Sequence, residues 1–271
     1  MKVLNKMLAA AAVMSAMNFA KAEGVEKVFE PTNGNDAVID RIELVNGQIL
    51  VRAPEAEIQG EKTPYVYVGT NTNHFAENAF AQGGLTNVAQ YVHMGNGKIY
   101  MTENGNTKDV WTTTVSDKPA LNGVTGGVKK ESGLEGSADE SLLKVMKESI
   151  EAGYVTKMFN GELYRAEDGT GIKKYTGSEW TAKNTINVNG GHIKDFDVAP
   201  NGRTDVTIYS IVEDSNKRTY LYRNSTEKAV LGEGSDTTNS YSGLPSNVKS
   251  VVRANGIIYY ATDKKLGYVR E

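Results

Sequence analysis

The sequence predicts an all-β chain, a five-bladed β-propeller closed by an N-terminal strand and carrying one inserted α-helix. Three observations carry that expectation. An Asn-Gly pair follows an apolar strand five times, at Asn46, Asn96, Asn160, Asn201 and Asn255. Asn-Gly suits a type I′ turn, whose two central residues need φ > 0 and whose twist matches that of the flanking strands. The pairs lie 50, 64, 41 and 54 residues apart, near the period of roughly 40–50 residues expected of propeller blades. The last unit holds three strands where a blade wants four, while a lone strand at residues 25–30 near the other end has no unit of its own.

Taken from the N-terminus, residues 1–22 read as a secretory signal. Lys2 and Lys6 form the basic region, residues 7–19 the apolar region, and Ala20-Lys21-Ala22 a small-residue cleavage site before Glu23. Thirteen apolar residues fall short of the roughly 20 that a spanning helix needs. The expected address is therefore extracytoplasmic, the periplasm or cell surface of a bacterium, with no integral membrane insertion of the mature chain. Residues 23–271 are then expected to form one propeller domain. Loss of Lys2, Lys6 and Lys21 leaves 27 basic residues against 33 acidic ones. An acidic chain without a Lys/Arg cluster argues against nucleic acid, whose phosphates such clusters neutralise. With no cysteine there is no disulfide framework, so stability has to come from a sizeable core.

Each unit repeats the hairpin. The first reads 38–45 and 48–52 with a further strand at 65–68; the second reads 88–92, the turn at Asn96, and 110–115. The third carries 154–158, 162–164, 172–175 and Trp180; the fourth 193–198, 206–210 and 219–223; the last 248–254, 257–262 and 266–270. Strands of this length with period-two alternation suit half-buried sheets. The long gap before Asn160 has a visible cause in an inserted helix near 137–153. Ser137 and Glu140 make a capping box, Leu142, Leu143, Met146 and Ile150 form one stripe, and Gly153 stops it.

Ile99-Tyr100-Met101-Thr102-Glu103 and Ile258-Tyr259-Tyr260-Ala261-Thr262-Asp263 resemble the Ile-Tyr-Trp-Thr-Asp strands of low-density-lipoprotein-receptor-type propellers, with Tyr or Met where those carry Trp. Phe196-Asp197-Val198-Ala199-Pro200-Asn201-Gly202 is similar to the strand and turn of other repeat propellers. The resemblance implies a blade and no particular ligand.

Function is expected to be non-enzymatic binding of a protein or glycan through loops on one propeller face, without a cofactor. Trp111, Trp180, Tyr175 and Tyr222 are the candidate ligand-binding residues, because such rings combine apolar faces with polar handles. The first alternative is a carbohydrate-active enzyme of glycosidase type, using acids from separate blades. Its candidates are Asp168, Asp263 and Glu103, which end equivalent strands, together with Asp40. The second alternative is an outer-membrane β-barrel, disfavoured by strands shorter than the roughly 9–11 residues that span a bilayer. Metal ligation has one weak candidate, Asp195, Asp197 and Asp205 around Asn201, since oxygen ligands suit Ca²⁺ but also suit turns. His74, His93 and His192 are scattered and show no ligand spacing.

Overall fold

The structure, a computed structural model, describes the chain fully over residues 38–44, 49–53, 140–149, 152–186, 191–232, 241 and 244–271. The remaining residues of the strands and helix named below are described by secondary structure and pairing. Residues 1–22, Ser137, His74 and the turns at Asn46 and Asn96 lie outside the described residues.

Among the described residues, the long strands form five antiparallel four-stranded sheets. Sheet I joins β2 (Arg41–Val45), β3 (Gln48–Arg52), β6 (Tyr65–Gly69) and β7 (Ala76–Asn78), with the small ribbon β4 (Glu57–Ile58) and β5 (Glu61–Lys62) between β3 and β6 in sequence. Sheet II holds β8 (Val88–His93), β9 (Lys98–Glu103), β10 (Asn106–Val115) and β11 (Val124–Lys130). After helix α1 (Ala138–Glu151), sheet III holds β12 (Thr156–Phe159), β13 (Glu162–Glu167), β14 (Gly171–Tyr175) and β15 (Trp180–Thr185). Sheet IV holds β16 (His192–Asn201), β17 (Asp205–Glu213), β18 (Thr219–Arg223) and β19 (Thr226–Val230). Sheet V holds β20 (Ser250–Ala254), β21 (Ile257–Ala261) and β22 (Leu266–Arg270). Its fourth strand is β1 (Glu26–Phe29), from the other end of the sequence, which pairs Glu26 with Tyr268 and Lys27 with Gly267. Among the described residues, strands divided among separate four-stranded sheets do not make a single closed barrel.

Two of the Asn-Gly turns have the geometry their sequence dictates. Asn160 and Gly161 sit at φ 49° and 78°, Asn255 and Gly256 at 52° and 74°, each closing a two-residue loop. The third differs. Asn201 stays in β16 opposite Asp205, and only Gly202 takes a positive φ, so the loop is longer. Pro200 precedes this turn and is still paired with Val206, carrying the strand further than a tight turn would allow.

Cores lie between sheets. Ile39, Ile42, Ile49 and Val51 of sheet I pack on Val252, Tyr259 and Leu266 of sheet V. The other face of sheet V, with Val251, Ile258 and Tyr260, packs on Tyr209, Ile211 and Leu221 of sheet IV. Tyr164 and Ile172 of sheet III meet Phe196, Ile208 and Val212 of sheet IV. Met146 of α1 closes on Met158 and Leu163, covering the remaining face of sheet III. The first strands approach one another across sheets: β2 nears β20, β20 nears β16, and β12 nears β8.

Candidate functional site

Charge is buried where the first strands converge. Lys157 is central to β12, and its neighbours Thr156 and Met158 are also buried, so the ammonium cannot reach bulk water. Its Nζ lies 3.0 Å from Asp195 Oδ1 on β16 and 3.6 Å from Glu43 Oε1 on β2. Asp195 Oδ2 accepts hydrogen bonds from Ser250 Oγ and, at 3.0 Å, from the Val251 amide of β20. Ser250 Oγ in turn accepts the Ile42 amide at 3.0 Å, and Asp197 Oδ2 accepts the Arg253 amide at 2.7 Å. Sheets I, III, IV and V thus meet in one polar hub. Burial pushes the Glu43 carboxyl up, Asp195 and Asp197 add to this, and Lys157 and Arg41 only partly oppose it. Burial likewise raises Asp197, against the pull of Lys157 and the Arg253 amide. Burial alone would lower Lys157; Asp195 and Glu43 outweigh it and hold the ammonium charged.

A second constellation lies on the α1 side of sheet III. Leu163, Arg165 and Glu167 alternate along β13 and share that face, as do Lys173 and Tyr175 on β14 across from them. The Arg165 guanidinium sits between two rings, 4.4 Å from the Tyr154 centroid and 4.3 Å from that of Trp180. Trp180 pairs with Tyr175 across the strands, with ring centroids 5.3 Å apart. Glu167 accepts from Arg165 Nε at 2.8 Å and pairs with Lys173. Burial would raise its carboxyl, but bonds from Lys173 and Arg165 bring it below the usual range. Tyr154, at the exit of α1, is the exposed large apolar residue among those described.

The structure therefore brings together two of the four aromatics expected to bind ligand, Trp180 and Tyr175, and adds Tyr154 and Arg165. Tyr222 is buried between sheets III and IV, with its hydroxyl 3.5 Å from Glu227, so its ring packs. Trp111 pairs with Met101 and Lys130 in sheet II; its side chain lies outside the described residues, as do those of Glu103 and His93.

Asp168 and Asp263 serve joints between sheets. Asp168 Oδ1 accepts the Ile193 amide at the entry to sheet IV, and Oδ2 lies 2.8 Å from His192 Nδ1. The Asp263 carbonyl accepts the Ile39 amide at the entry to sheet I, while its side chain pairs with Lys249. Asp40 pairs with Arg52 at 3.4 Å. Asp195 and Asp197 are buried, whereas Asp205 is exposed at the turn end of the hairpin opposite Asn201, bonded to Lys183 and its neighbour Val206. The three aspartates are not gathered at one point.

Sequence reasoning missed Glu43, Lys157, Ser250, Tyr154 and Arg165. The available signal was a charged residue inside an otherwise apolar strand, as in Thr156-Lys157-Met158 and Ile42-Glu43-Leu44.

No protein family matches the chain, and no curated protein matches it in sequence. Among solved structures it is similar to the WD40 β-propeller domain of Doa1, at 13% identity and a TM-score of 0.42 over 92% of this chain and 97% of that one. It is also similar to a member of the GH130 family of mannoside phosphorylases, which contains glycoside hydrolases that target β-1,2 mannosidic linkages in Candida mannan. There the identity is 12% and the TM-score 0.39, over 93% and 94% of the two chains. BamB from Moraxella catarrhalis is similar at 7% identity and a TM-score of 0.25, over 87% and 83%. The order and pairing of the sheets, rather than these likenesses, carry the architecture.

Proposed function

We propose that the five sheets are the blades of one closed propeller acting as an exported, non-enzymatic binding scaffold. Closure is supported by hydrogen bonds from one sheet to the next: the Asp168 carboxylate of sheet III accepts the Ile193 amide of sheet IV, and the Asp263 main-chain carbonyl beyond sheet V accepts the Ile39 amide at the entry to sheet I. With β1 completing sheet V, the two strands furthest apart in the sequence lie side by side in one blade. The address proposed is the periplasm or cell surface of a bacterium.

The observation that carries the binding role is the departure of sheet III from its fellows. Helix α1 is docked on that blade, and the Tyr154–Arg165–Trp180 stack beside it presents Tyr154 outward. An aromatic face beside a guanidinium suits either a sugar ring or a peptide side chain. The test is a glycan array together with pull-down from envelope extracts, run on the wild type and on Tyr154→Ala. A ligand retained by the wild type and lost by a variant of unchanged melting temperature is expected. Silence in both assays, or capture indifferent to Tyr154, counts against the reading.

The hub favours a second reading as a carbohydrate-active enzyme. Glu43 and Asp195 come from different sheets and flank one lysine, as the paired acids of such enzymes come from separate blades. Hydrolysis of a panel of chromogenic glycosides, abolished by Glu43→Gln, would replace the scaffold reading. Activity lost instead on Asp168→Asn or Asp263→Asn would move the chemistry to the joints.

A further inference from the structure

The buried hub holds an amine against a carboxyl carbon. Lys157 Nζ lies 3.0 Å from Asp195 Oδ1 and 3.2 Å from Oδ2. Distances this even place Nζ no more than about 3.5 Å from Cγ, inside the range of a near-attack arrangement. Both side chains are buried, Lys157 between Thr156 and Met158 on β12, and the Phe196 ring centroid stands 5.9 Å from Nζ. Asp195 Oδ2 faces two donors, the Ser250 hydroxyl and, at 3.0 Å, the Val251 amide. Glu43 Oε1 lies 3.6 Å from Nζ and is steadied by Arg41 Nε at 3.5 Å.

We propose that Lys157 and Asp195 condense, with Glu43 as proton carrier, into an amide bond that joins sheets III and IV covalently at the hub. The structure holds the reactants, an ammonium beside a carboxylate. Transfer of one proton from Nζ to Oδ1 leaves a neutral amine and a carboxylic acid, a pair that burial favours over two desolvated charges. The Nζ lone pair then forms the bond to Cγ, and the carbonyl electrons move onto Oδ2. The Ser250 hydroxyl and the Val251 amide are already placed to hold that oxyanion. The Glu43 carboxylate accepts a second proton from the nitrogen and returns it to the Oδ1 hydroxyl; the Cγ–Oδ1 bond breaks and water leaves. Oδ2 ends as the amide carbonyl with its two donors in place, one hydrogen stays on Nζ, and Glu43 recovers its starting form. Two groups held by one fold react as neighbours rather than by collision, and the buried surroundings keep water from reversing the step. The bond is a modification of the chain itself and rests on neither ligand reading. It consumes the carboxylate that the enzyme reading pairs with Glu43.

The test is the intact mass of the purified full chain, set against the mass of its own sequence from the N-terminus found by peptide mapping. Expected is a deficit of one water in the bulk of the wild-type protein and, after digestion with trypsin, a branched peptide linking the segment of Lys157 to that of Asp195. Glu43→Gln, Lys157→Arg and Asp195→Ala are each expected to keep the full mass. The wild-type measurement decides the bond whether or not any variant folds. A wild type of full mass overturns the inference, as does a deficit that maps to another pair of residues or one undiminished in folded Glu43→Gln. The Tyr154 reading stands or falls separately, on ligand capture.

Discussion

Lys157 of sheet III and Asp195 of sheet IV form an ion pair at 3.0 Å, with side chains only 3% and 4% exposed. Two buried charges depend on each other: with one removed, the other keeps its desolvation penalty and loses its compensation. Lys157→Met alone is expected to destabilise the chain by about 3–5 kcal/mol. Combined with Asp195→Asn, it should cost less than the sum of the single changes, with a coupling of at least about 1 kcal/mol. Urea denaturation of the four proteins measures both, and simple additivity would show that the two groups do not act as a pair.

Two sets of carboxyls give opposite dependences on pH. Glu43 and Asp197 have folded pKa values raised above 4.5 and 3.8 by burial, so the stability they contribute is full at low pH and lost as pH rises through the raised values. Glu271 is lowered from 4.5, so its contribution is present above that value and lost as pH falls through the lowered one. Unfolding free energies from acid to neutral pH should show Glu43→Gln removing part of the decline on the rising side. Glu271→Gln should remove part of the loss on the acid side. If both variants keep the wild-type slope, these carboxyls do not set the profile.

Gly267 is required by a close approach in sheet V. A Cβ there would meet the Tyr260 hydroxyl at 2.4 Å and its Cζ at 2.6 Å, and the Tyr260 ring is fully buried. Gly267→Ala is expected to cost about 1–3 kcal/mol, the usual range for overpacking. Tyr260→Phe in the same chain should recover part of it, because the nearest clashing atom is gone. A melting temperature unchanged in Gly267→Ala would mean that the ring yields.

Removing residues 26–29 uncovers the edge of β22 from Leu266 to Tyr268. An unpaired edge invites association with other chains. The expected outcome is a loss of several kcal/mol, on the scale for lost burial and pairing, together with concentration-dependent aggregation. Calorimetry and light scattering check the two separately, and a truncated chain that melts like the intact one counts against the role of β1.

The hairpins and the helix were legible because each is written locally, and the pairing of first and last strands because a three-stranded unit lacks a partner. Asn255-Gly256 fixes its own turn, Gly153 stops its own helix with φ at 87°, and three strands without a fourth imply a missing one. The hub was not legible, because Glu43, Lys157, Asp195 and Ser250 are scattered through the sequence and meet only once the sheets are stacked. Asp168 and Asp263 show the converse. Their matching positions were readable, but Asp168 joins sheet IV through its carboxylate and Asp263 joins sheet I through its main-chain carbonyl. Tyr175 and Trp180 came with their neighbour in the hairpin, whereas the Arg165 between Tyr154 and Trp180 needed the tertiary packing of α1.

The pairing of β1 with β22 also bears on the order in which the sheets are expected to form. Four of the sheets take all their strands from continuous stretches and need only short loops to gather them. Sheet V has to bring β1 to β22, the strands furthest apart in the sequence, which is the costliest loop closure among the described pairings. Folding is therefore expected to end at this seam, and a chain interrupted before β22 would be left with its first strand unmatched.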